Sequence, residues 1–133
     1  MDVVLKNSAG LDAENLALTL LASAVRSASS NTADQKNRNC RGLQLIIDVT
    51  AVPTVDTVTF TIKGKDPVSG KYYTLLASSA IVAVSTVTLR VYPGLTAAAN
   101  LVVSDVLPLD WRVEITHSAA TNFTYSVGAQ LIQ

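Results

Sequence analysis

A chain of 133 residues has room for one domain on the usual scale of roughly 100–200 residues each, which excludes two full catalytic domains. Ten Lys and Arg balance ten Asp and Glu, and only 15% of residues are charged, so no broad basic field gathers phosphates and direct nucleic-acid binding is not expected. A hydrophobic share of 49% can fill a core without disulfides, while one Cys and one His cannot supply the four ligands of a structural zinc site; no metal or cofactor is expected.

No apolar run reaches the roughly 18–20 residues of a membrane helix, so no membrane association is expected. The greasy start at residues 16–25 is too short, and the residues before it carry Asp2, Asp12 and Glu14 in place of the basic region of a signal peptide. Residues 15–28 read as a strand with Leu16, Leu18 and Leu20 on one side before a slip at Leu21, or as a helix from their Ala and Leu content. The strand is preferred because the rest of the chain offers sheet edges to pair with. Residues 27–39 are turn-forming and polar and read as an exposed loop. Residues 1–39 are thus expected to form an N-terminal arm and polar loop that can contribute a strand, ahead of a β-domain at residues 40–133.

From Leu43 onward the apolar period is two, the mark of strands with one buried face. Leu43, Leu45, Ile47 and Val49 share one side; Val58, Phe60 and Ile62 share another, with Thr57, Thr59, Thr61 and Lys63 on the solvated side. Threonine suits that position because its branched Cβ fits the pleat and its hydroxyl tolerates water. Residues 64–71 carry Asp66-Pro67 and Ser69-Gly70, turn chemistry that predicts a hairpin to a strand at residues 72–77, with Tyr73 and Leu75 on one side and Tyr72 and Thr74 on the other. Residues 79–84 can form a short strand. Residues 86–92 place Val87, Leu89 and Val91 inward and end at Pro93-Gly94. Residues 95–109 read as a long connection with a helical turn or a short strand at 101–103. Trp111, Val113 and Ile115, then Phe123, Tyr125, Val127, Ala129 and Leu131, alternate with polar residues and are expected to form a hairpin closed by residues 117–122. The whole predicts an all-β fold, an antiparallel β-sandwich or jelly-roll forming a single domain with an N-terminal arm; helical folds are excluded.

The chemical candidates are sparse. His117 is the single histidine, and its parity sets it on the Trp111–Ile115 side, the place of a core-rim imidazole more than of a triad base. Neither a Gly-x-Ser-x-Gly elbow nor a His-Glu-x-x-His helix is present, so no catalytic residue is assigned and the chain is not expected to be an enzyme. Cys40 lies beside Arg41, which could lower a thiol pKa, yet the plain reading is a thiol entering the first core strand. The lysines of residues 63–71 do not form a phosphate loop, which needs more glycine and a following helix, but a protruding hairpin tip suits a partner contact. Trp111 and Tyr125 have core parity, leaving Tyr72 and Tyr92 as outward aromatics that could serve a sugar-binding face. The aspartates are dispersed and do not space out a calcium loop.

More specific than these features is a set of stretches in fixed order: Leu20-Leu21-Ala22-Ser23-Ala24-Val25-Arg26, Asn39-Cys40-Arg41-Gly42 leading into Ile47-Asp48-Val49-Thr50, and Ile62-Lys63-Gly64-Lys65-Asp66-Pro67-Val68-Ser69-Gly70-Lys71-Tyr72-Tyr73. Val91-Tyr92-Pro93-Gly94-Leu95, Leu107-Pro108-Leu109-Asp110-Trp111-Arg112-Val113 and Tyr125-Ser126-Val127-Gly128-Ala129 follow. Together they resemble a family of small structural proteins of tailed bacteriophages, over most of the chain from about residue 20 to 132. The resemblance implies a virion component, assembled in the host cytoplasm, with no chemistry to carry onto single residues. The expected role is a capsid decoration protein that contacts the major capsid protein or other virion proteins as a homo-oligomer, with a trimer favoured. The expected contacts are Val3 and Leu5 of the arm, Lys65, Asp66, Lys71 and Tyr72 of the hairpin, and Tyr92. A neck or tail ring, and a host-surface carbohydrate-binding module, are the alternatives.

Overall fold

The computed structural model describes residues 15–133, and these form an all-β body without a helix. Ten strands follow in chain order: β1 (Leu16–Arg26), β2 (Ser30–Asn31), β3 (Gln35–Lys36), β4 (Gly42–Ala51), β5 (Val58–Lys65), β6 (Tyr72–Ala77), β7 (Ser85–Val91), β8 (Val102–Val103), β9 (Asp110–His117) and β10 (Phe123–Ile132). They make two sheets, one in the order β1-β10-β4-β7-β8 and one in the order β2-β9-β5-β6, with β3 also paired to β9. All pairings are antiparallel except β7 with β8.

The period of two produces this arrangement directly. Leu43, Leu45, Ile47 and Val49 on β4, Val58, Phe60 and Ile62 on β5, and the alternate residues of β9 and β10 are all buried in a single cluster. Each such side chain removed from water contributes about 1.5–3 kcal/mol. Phe60 of one sheet meets Tyr125 of the other edge to face, ring centroids 5.1 Å apart, so the sheets share one core between them.

Residues 15–26 are a strand, and the slip read at Leu21 has a structural cause. Along β10, Thr19 faces Gly128 and Leu21 faces Val127, so Leu20 is an extra residue in a bulge, and a second shift falls between Leu21 and Ala24. At the second, the Arg26 guanidinium donates to the carbonyls of Ala22 and Tyr125, each at 2.7 Å. The residues read as a polar loop also enter the second sheet: β2 and β3 pair with β9, and Thr32 donates its N–H to Val113 O at 2.9 Å while its hydroxyl accepts from Val113 N. The buried Asn37 amide donates to the carbonyls of Cys40 and Leu107. Residues 16–36 are therefore integrated into the two sheets.

Three local expectations are corrected. β9 and β10 do not form a hairpin: β9 pairs with β5 and β10 with β1 and β4, and residues 118–122 cross from one sheet to the other. Both strands alternate because each buries one face, and that pattern does not say whether neighbours in sequence pair or oppose. In β6, Lys63 faces Thr74 but Ile62 faces Leu76, so a bulge at Leu75 moves Leu76 into the core. Tyr73 lies opposite Gly64, where a Cβ would come 2.5 Å from the tyrosine ring; the glycine lets that ring cross the strand. Residues 79–84 hold an isolated bridge between Ile81 and Val58 in place of a strand. The short strand expected within 101–103 is β8.

Candidate functional site

The outer side of β9, β5 and β6 carries a connected cluster of charged side chains and a tyrosine. Strand alternation puts Asp110, Arg112 and Glu114 on this side of β9, Lys63 and Lys65 on β5 and Tyr72 on β6, while their neighbours fill the core. Lys63 lies directly opposite Arg112 in the ladder, a like-charge pair that would repel. Glu114 relieves it, accepting from Arg112 Nη2 at 2.7 Å with Lys63 Nζ at 3.9 Å from its other oxygen.

Tyr72 organises the rest. Its ring lies under the Arg112 guanidinium, 3.5 Å from the centroid, and Lys65 Nζ is 5.5 Å away. Its hydroxyl donates to the Asp34 carboxylate, 2.8 and 2.9 Å from the two oxygens, and Lys65 Nζ donates to the same carboxylate at 3.1 Å. The Tyr72 hydroxyl, then the Lys65 ammonium, hold the Asp34 carboxyl below its ordinary range, and the Asp34 partner raises Lys65 in turn. These groups stay in contact with water, so the bonds fix side-chain direction more than they stabilise the fold.

Beyond this face the β5–β6 hairpin ends in a tip that satisfies its own polar groups. Asp66 N–H donates to Lys71 O at 2.8 Å, Gly70 takes a φ of 74°, and the Asp66 carboxylate accepts from Val68 N at 2.9 Å and Ser69 Oγ at 2.7 Å. Those two donors, the Val68 N–H first, lower the Asp66 pKa. With the carboxylate committed to the turn, Val68 stands at the tip 93% exposed.

Of the expected contacts, Lys65 and Tyr72 meet in the charged face, and Asp66 and Lys71 close the adjoining tip. Tyr92 lies apart on the other sheet, half-buried, its hydroxyl donating to Gln133 O at 2.7 Å. Val3 and Leu5 fall outside the described residues. Sequence reading passed over Asp34, which sat in an apparently featureless polar loop, and Arg112 and Glu114, whose outward parity on β9 was the available signal. It also passed over Val68.

The two reactive residue types are engaged elsewhere. His117 is buried, its Nε2 2.9 Å from the Tyr125 hydroxyl and its ring edge-on to Phe123. Burial pushes its pKa below the ordinary 6.5, with the Thr121 backbone acting the other way. Cys40 sits at the opposite end of the sheets beside Gln133, and burial raises its pKa, with the Gln133 side chain acting the other way. Among the described residues no three of His, Cys, Asp and Glu cluster as metal ligands, and no helix is long and apolar enough to cross a membrane. Comparison with protein families, curated proteins and solved structures finds no match.

Proposed function

We propose that this chain is a non-enzymatic structural component of a tailed bacteriophage virion, a decoration protein on the outside of the head. The observation that carries the reading is the strand order. With the two-residue β3 and β8 set aside, the layers β1-β10-β4-β7 and β2-β9-β5-β6 support the reading of an eight-strand jelly-roll sandwich, an architecture used by viral capsid and lectin domains. The resemblance of residues 20–132 to small virion proteins favours the capsid branch of that pair. The Tyr72 ring carries Arg112 on one face, so that face is not open for stacking on a sugar.

In this reading the contact surface is the Asp34–Lys65–Tyr72–Arg112–Glu114 face with the rigid 66–71 tip. A decoration protein covers its lattice through many weak contacts, and side chains already held in place lose little freedom on docking. The partner is the major capsid protein, the chain acts as a homo-oligomer with a trimer favoured, and its location is the assembled virion.

Binding of the purified chain to heads from a phage stock lacking it tests this. Tyr72→Ala and Val68→Asp are expected to weaken binding at least tenfold with the fold intact. Undiminished binding by both would refute the assigned face, and binding by neither wild type nor variant would refute decoration. Deleting residues 1–14 tests Val3 and Leu5 separately: unchanged binding removes the arm from the contact.

A further inference from the structure

Charge is distributed unevenly around the body. Residues 73–104, which run through β6, β7 and β8, contain a single charged side chain, Arg90, and residues 15–33, which run through β1 and β2, contain only Arg26. The other fourteen charges of residues 15–133 lie elsewhere. The topology turns these two stretches into opposite flanks. On one side the edges are β1 of one sheet and β2 with β3 of the other, where the Lys36 ammonium of β3 is paired with Asp110; β8 and β6 are the edges on the other side, where Asn100 Nδ2 donates to Ala77 O at 3.1 Å across the gap between sheets.

Both flanks expose apolar side chains. Val82 and Val84 are each 61% exposed and Leu101 49%, with Val82 and Leu101 lining one cleft beside Ile81 and Val87. On the other flank Val25 is 62% and Leu16 49% exposed. Arg26 does not interrupt that flank, because its guanidinium is folded back onto the carbonyls of Ala22 and Tyr125 and over the Tyr125 ring.

We infer that the β6–β8 flank of one copy packs against the β1–β2 flank of the next, so that copies join side by side into a ring. An occupant of an uncharged surface must not bring an unpaired charge to it, since desolvating one costs several kcal/mol. The opposite flank of the same chain meets that condition. Two different flanks give each copy two neighbours, and such a head-to-tail contact closes into a ring when its rotation allows. The contact is made by side chains and does not extend a sheet, because the two bulges of β1 interrupt the even ladder that strand addition needs.

The inference specifies the homo-oligomer of the proposed function, and its test needs no virion, so failure here leaves the capsid-binding test standing. Light scattering on the wild-type chain is expected to give the mass of three or more copies. Two double variants break one flank each: Val82→Lys with Leu101→Lys, and Ser23→Lys with Val25→Lys, all four positions being exposed. Emission from Trp111, which is fully buried, checks that each is folded. Each alone is expected to fall to the 14.0 kDa monomer. An equimolar mixture retains one good interface and is expected to form a 1:1 heterodimer and nothing larger. A wild-type monomer or dimer, wild-type mass in either folded variant, or a mixture that stays monomeric would each overturn the inference.

Discussion

Two tyrosines in this molecule each sit beside an arginine, and they do opposite work. Tyr125, on β10, lies within the core with Arg26 5.0 Å from its ring and His117 on its hydroxyl. Tyr72, on β6, lies on the outer side of the other sheet with Arg112 over its ring and Asp34 on its hydroxyl. The components are alike, and water decides what they mean. Around Tyr125 a missing partner leaves a polar atom that water cannot reach, so the cluster constrains the fold. Around Tyr72 the Asp34 carboxylate and the Lys65 ammonium stay partly open to water, so their bonds cost little to break and serve to hold a surface in one shape.

The largest effect is expected where the buried cluster loses volume. Phe123→Ala removes a fully buried ring from the edge of His117 and should lower stability by about 3–5 kcal/mol, read from denaturant unfolding followed by Trp111 emission. Tyr125→Phe keeps the ring and removes only the hydroxyl, leaving His117 Nε2 without its partner. A loss of about 1–3 kcal/mol is expected. Equal stability of this variant and wild type would contradict the structural role given to the pair.

Acid separates the clusters further. The folded chain holds His117 below its ordinary 6.5, so below that pH the unfolded chain binds a proton that the folded chain refuses. The contribution from this group is therefore full above pH 6.5, falls as pH drops below it, and levels off once the folded value is passed. Melting temperatures measured across this range should show the decline in wild type and a flatter profile in His117→Gln. The smallest effect belongs to the surface: Asp34→Asn should change stability by no more than about 1 kcal/mol while reducing binding to capsids.

The core was legible because burial imposes a period that the letters preserve: the buried faces of β4, β5, β7, β9 and β10 are the alternations read from the chain. The inward parity of His117 was legible for the same reason. What alternation does not encode is which sheet a strand joins, and so β9 and β10 were paired when they lie in different sheets. Bulges were visible only as defects, at Leu21 as a slip and at Leu75 as a wrong face. The surface cluster was half legible. Lys65 and Tyr72 stand out on a hairpin, whereas Asp34 reaches Tyr72 from 38 residues away, a contact made by tertiary folding alone.

The central claim is that this chain is a structural part of a virion head, and its copy number relative to the major capsid protein tests that most directly. Quantitative mass spectrometry on purified particles should give a simple fraction of the capsid lattice, such as one to one. A number matching a single ring would assign the chain to the neck or tail, and its absence from particles would contradict the account altogether.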